Sequence, residues 1–75
     1  MATKSIYDDQ YRDIIAALRD ARLAARLTQQ DVAGRLSRPQ SFVAKVEGYE
    51  RRLDVVEYIA LCRAIGVSPR AFLPQ

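Results

Sequence analysis

Thr28-Gln29-Gln30-Asp31-Val32-Ala33-Gly34-Arg35-Leu36-Ser37-Arg38-Pro39-Gln40-Ser41-Phe42-Val43-Ala44-Lys45-Val46-Glu47-Gly48 carries two short helical patterns with a break between them. Thr28 followed three residues later by Asp31 has the form of a capping box, with Asp in place of the usual Glu, so a helix is predicted from Gln29 to about Leu36. Ser37-Arg38-Pro39 interrupts it, because proline disfavours helical geometry in the residue before it yet suits the first position of a helix. The next helix is therefore expected from Pro39 to Glu47, with Gly48 supplying the left-handed residue that ends it. Two short helices joined by so few residues must cross steeply. Val32, Leu36, Val43 and Val46 can then share one core, and small Ala33 lets the helices approach.

Upstream of this pair, Tyr7, Tyr11, Ile14, Ile15, Leu18, Ala21, Arg22 and Ala25 recur at spacings of three and four, the stripe of one longer helix. Asp8 and Asp9 suit its positive N-terminal end. Downstream, Asp54-Val55-Val56-Glu57 offers a second capping box for a helix reaching Ile65, with Ile59, Cys62 and Ile65 inward and Gly66 as the stop. Ser68-Pro69 reads as cap and first residue of a last short helix through Phe72 and Leu73. The expectation is an all-α domain of five helices occupying residues 1–75, its core at about 7–73 and its ends frayed. No strand alternation, internal repeat or linker interrupts it.

With 75 residues, 49% hydrophobic and 28% charged, and only three Gly and three Pro, the composition is that of a folded domain rather than a disordered tail. No apolar run approaches the roughly 20 residues of a membrane span, and Met1-Ala2-Thr3-Lys4 lacks the apolar stretch of a secretory signal, so the cytoplasm is the expected compartment. One cysteine and no histidine exclude an internal disulfide and the usual zinc sets. No metal or cofactor is expected, and without a convincing nucleophile–base pair neither is enzymatic activity. Cys62, and Tyr7, Tyr11 and Tyr58, are read as packing residues. The net charge of +3 leans toward a polyanionic partner and is weak by itself. Its placement says more: between Thr28 and Arg52 the bases Arg35, Arg38, Lys45, Arg51 and Arg52 outnumber Asp31, Glu47 and Glu50.

The joint spacing of Leu18-Arg19 with Arg22, Leu27-Thr28-Gln29, Val32-Ala33, Leu36, Gln40-Ser41, Val43, Val46-Glu47 and Ile65-Gly66-Val67-Ser68 resembles the Cro/phage-repressor helix-turn-helix family, also called the XRE family, over Leu18 to Leu73. The resemblance implies a lambda-repressor-like domain in which Thr28 to Gly48 is the helix-turn-helix and the third helix reads the major groove of double-stranded DNA. The outer face of that helix carries Gln40, Ser41, Ala44 and Lys45. Gln40 can pair with adenine, Lys45 can donate to guanine, and Ser41 can adapt to several base edges. The family further implies phosphate contact by Gln29 at the start of the second helix, and an ion pair of Arg22 with Glu47 joining the first helix to the end of the third. Arg38, Arg51 and Arg52 are candidates for phosphates on either side of the groove. The chain departs from the family at Arg26 and Ser37, where glycine is usual, at Arg38 in the turn, and at Gly48-Tyr49, where a polar residue then glycine is usual. Phe42 replaces a small polar residue; a thymine methyl, the domain edge or a protein interface are its open roles.

The resemblance implies a sequence-specific transcriptional regulator, a repressor given the lack of an activation surface, working on nucleoid DNA and controlled by abundance, dimerisation or a protein partner. One short recognition helix reads few base pairs, so a homodimer on an inverted-repeat operator is expected, half-sites about 10–10.5 base pairs apart. Arg70-Ala71-Phe72-Leu73 offers apolar side chains for self-association. Two alternatives share the fold: a DNA-binding antitoxin, and a protein-interaction module using Phe42, Tyr49 and Phe72 without specific DNA binding.

Overall fold

Thr28 sits in extended geometry and its hydroxyl accepts from the Asp31 amide at 2.9 Å, while the Asp31 carboxylate accepts from the Thr28 amide at 2.9 Å. These reciprocal bonds satisfy two otherwise orphaned donors, hold the Asp31 carboxyl below its usual range, and start a helix there. The computed structural model describes residues 6–74, with side chains from residue 8 onward. Tyr7's place in the stripe and the frayed ends fall outside what it describes.

Among the described residues four α-helices follow one another: α1 (Ile6–Ala24), α2 (Gln29–Arg35), α3 (Gln40–Glu47) and α4 (Val55–Ile65). The fifth helix expected from the sequence is instead a four-residue 3-10 turn, Pro69–Phe72. Ser68 caps it, but Leu73 is already extended at ψ 145 ahead of Pro74, leaving too little chain for an α-helical turn to propagate. Pro39 is likewise the cap of α3 rather than its first residue, at φ −69 and ψ 153, so α3 begins at Gln40.

Every α-helix ends on a left-handed residue, and only the last is glycine: Arg26 at φ 60, Ser37 at φ 55, Tyr49 at φ 61 and Gly66 at φ 95. At Ser37 the pattern is complete, with the Ser37 amide donating to Gly34 O at 3.1 Å and the Arg38 amide to Ala33 O at 2.9 Å. Gly48 does not play the role expected of it. Its φ is −85, and a Cβ there would stand 3.2 Å from the Ala44 carbonyl oxygen, so glycine provides space while Tyr49 takes the unusual handedness.

α2 packs on α3 and α4, and α1 packs on α3, α4 and the 3-10 turn. Ile15 and Leu18 of α1, Val32 and Ala33 of α2, Val43 and Val46 of α3, and Leu61, Cys62 and Ile65 of α4 meet in one core. Leu36 is half-buried beside them. Ala33 is 1% exposed, the packed position its small size implied. Polar ties close the periphery: the Arg35 guanidinium donates to Ala64 O at 2.7 Å, Tyr58 Oη to Pro69 O at 2.6 Å, and the Leu53 amide to Tyr11 Oη at 3.1 Å. Among the described residues no helix is long and apolar enough to cross a membrane.

Candidate nucleic-acid interface

With Val43 and Val46 turned into the core, α3 leaves Gln40, Ser41 and Lys45 exposed and Ala44 half-exposed, so the four base-reading candidates share the outer face. The N-terminal edge of that face is organised by a chain of hydrogen bonds beginning in α1. Arg22, 6% exposed, donates through Nε to Glu47 Oε2 at 2.7 Å, through Nη2 to Glu47 Oε1 at 2.9 Å, and through Nη1 to Leu27 O at 2.8 Å. The Glu47 bond, more than opposing burial, raises the Arg22 pKa. Glu47 Oε1 also accepts from Gln29 Nε2 at 3.0 Å, and Gln29 Oε1 accepts from Gln40 Nε2 at 2.9 Å. A buried charge pair thus orients Gln29, and Gln29 orients the first side chain of α3.

The arginines read as phosphate candidates divide by what already holds them. Arg51 gives Nη1 and Nη2 to the Glu57 carboxylate at 2.8 and 2.7 Å and Nη1 also to Arg52 O at 2.9 Å. Arg38 gives Glu57 only Nη2, at 3.2 Å. Both guanidiniums cover the Phe42 ring, at 4.4 and 4.8 Å from its centroid, and Phe42 is 7% exposed. Of its three open roles, edge packing is the one realised. Hydrogen bonds from Arg51, then from the Asp54 amide, hold the Glu57 carboxyl down at about 2. Arg52 is 64% exposed, reaches Asp8 at 3.4 Å, and lies over the Tyr11 ring at 4.2 Å.

Glu57 was legible only as a capping partner, and its second role as the hub of two arginines depends on the loop 48–54 bringing Arg51 back over α4. Arg12, whose guanidinium lies 4.4 Å from the Tyr49 ring centroid, carried no signal at all in the sequence. Phe42 and Phe72 pack against the core and do not join Tyr49 in an apolar surface. Cys62 is fully buried, and burial pushes its thiol up; burial likewise raises the Tyr58 hydroxyl to about 12. Among the described residues no group of His, Cys, Asp and Glu could hold a metal ion.

Residues 15–73 match a family described as a helix-turn-helix domain. A solved structure of an XRE-family like protein from Pseudomonas syringae pv. tomato str. DC3000 is 49% identical, covers 89% of this chain and 82% of its own, and superposes with a TM-score of 0.87. The chain belongs to the XRE-type helix-turn-helix family. No curated protein matches it. Membership in the XRE-type family makes it a DNA-binding regulator, and α2, the turn 36–39 and α3 are its helix-turn-helix. Against the glycines usual in the XRE family, Arg26 and Ser37 keep the left-handed geometry that glycine would supply.

Proposed function

We propose that this protein is a sequence-specific repressor of transcription that seats α3 in the DNA major groove as a twofold homodimer. The observation that carries the proposal is the relay Arg22–Glu47–Gln29–Gln40, which aims a bidentate amide from the start of α3 while Ser41 and Lys45 stand free beside it. An amide held in one orientation is suited to adenine, and the Lys45 ammonium to guanine O6 or N7. Gln29, Arg38 and Arg52 take phosphates; Arg51 braces the loop that carries Arg52. Blocking a promoter needs no activation surface, which favours repression, and the site of action is nucleoid DNA in the cytoplasm. No catalytic role is proposed: the Cys62 thiol is fully buried, and burial raises its pKa.

Self-association is assigned to the face holding Leu73, 45% exposed, and Val55, 74% exposed, which flank an apolar groove of about 340 Å3. The test is selection of bound duplexes from a random pool, followed by salt dependence on the winner. The expected product is an inverted repeat with half-sites about 10–10.5 base pairs apart, whose affinity collapses when about five base pairs are inserted between them. Equal weak binding to every duplex overturns the proposal.

A further inference from the structure

The N-terminal half of α1 and the loop 48–54 enclose a second polar feature, a cleft of about 390 Å3 lined by Asp8, Tyr11, Arg12, Tyr49 and Arg52. Two guanidiniums face it, each placed over a tyrosine ring, Arg12 over Tyr49 at 4.4 Å and Arg52 over Tyr11 at 4.2 Å from the centroid. Contact with a ring face holds a guanidinium through its charge and uses none of its five N–H donors. Among the described residues Arg12 makes no ion pair, and the Arg52–Asp8 contact, at 3.4 Å and largely exposed, is a weak solvated one. The lining therefore offers two oriented cations against one carboxylate. Its walls are fixed: the Tyr11 oxygen accepts from the Leu53 amide at 3.1 Å, and Tyr49 is locked left-handed with its amide donating to Val46 O at 3.1 Å.

We infer that this cleft is a phosphate-binding site, formed by Arg12 and Arg52 and shaped by Tyr11 and Tyr49. The planar fork of a guanidinium matches phosphate oxygens in pairs, and two forks at one cleft hold the group from two sides. Resting on the proposed DNA-binding function, its ligand in the complex is a phosphodiester of the strand bordering the groove. The Glu50 and Arg51 amides donate to Lys45 O at 2.8 and 3.2 Å, so the loop leaves α3 directly beside its last base-reading residue and carries Arg52 toward that strand. α1 thereby contributes Arg12 to an interface otherwise built from α2, α3 and the loop.

The experiment compares the full chain with Arg12→Gln, which removes an exposed charge, and Tyr49→Leu, which removes its ring. Salt-dependent affinity is measured on the selected duplex and on a scrambled one, and arginine Nε resonances are followed during titration with inorganic pyrophosphate. If DNA supplies the phosphate, Arg12→Gln lowers the slope of log affinity against log salt by about one on both duplexes, and Tyr49→Leu lowers it in the same direction. If the slope is unchanged but pyrophosphate saturably shifts the Arg12 and Arg52 signals in the parent and no longer shifts the Arg52 signal in Arg12→Gln, the cleft takes a free phosphate compound. If Arg12→Gln leaves the slope unchanged and pyrophosphate shifts neither signal, the site is overturned. Absence of binding to any duplex would refute the DNA-binding function, while the pyrophosphate titration would still decide the cleft.

Discussion

Replacing Glu47 by Gln tests whether the Arg22–Glu47 pair fixes the recognition helix. The pair is buried, with side chains 8% and 10% exposed, and three N–H donors, two from Arg22 and one from Gln29, converge on the two carboxylate oxygens. Glutamine is nearly isosteric but offers one oxygen, and its amide hydrogens face a guanidinium that stays charged. Breaking a buried pair from one side costs about 3–5 kcal/mol, because the remaining charge is uncompensated. A domain of 75 residues has about 4–11 kcal/mol in total at about 0.05–0.15 kcal/mol per residue. Glu47→Gln is therefore expected to remove a large share of the stability and to lower Tm by at least about 12 °C, read by circular dichroism. A companion variant, Arg22→Met with Glu47→Leu, replaces both charges by apolar groups and should stay folded. It still removes the acceptor that orients Gln29, so it should bind the selected duplex with relaxed preference at the base pair read by Gln40. A loss below about 1 kcal/mol for Glu47→Gln, the range of exposed pairs, would show that water already screens the pair. Undiminished base preference in the double variant would refute the positioning role.

Ser37→Gly should raise stability by up to about 1.6 kcal/mol, since left-handed geometry costs a side chain about 1–2 kcal/mol and the greater freedom of unfolded glycine offsets about 0.4–1 of it; a lower Tm would contradict the positive φ. The Glu57 carboxyl, held at about 2 in the fold against an ordinary 4.5, contributes stability that is present above about pH 4.5 and lost as pH falls toward 2. Glu57→Gln, which keeps the cap, should flatten acid unfolding in that window, and an unchanged acid limb would show that the arginine contacts do not persist in solution. Arg38→Ala should lower the salt slope of DNA binding by about one, whereas Arg51→Ala should leave it unchanged and lower Tm, because Arg51 has committed its terminal nitrogens to Glu57; equal slope losses would contradict that division.

The two capping boxes, the interruption at Pro39 and the apolar spacings were legible in the sequence because each depends on interactions within a few residues. Thr28 with Asp31 and Asp54 with Glu57 place the starts of α2 and α4, and proline restricts its own neighbourhood whatever the rest of the chain does. Those local rules, with Val32, Ala33, Val43 and Val46 on inward faces, were enough for the helix-turn-helix and for the outward set Gln40, Ser41, Ala44 and Lys45. Tertiary structure decided what depends on contacts between distant segments. It moved the left-handed residue from Gly48 to Tyr49, where the fold needs an open Cα at one position and tolerates strain at the next. It reduced the last helix to a 3-10 turn, placed Phe42 beneath two arginines, and tied Arg51 to Glu57. Arg12 and Tyr49 lie 37 positions apart in the chain and meet only because α1 packs on α3 and the following loop folds back toward it. A periodic pattern records which face of a helix is buried. Which exposed charges meet across the surface depends on how the helices pack, and that information exists only in three dimensions.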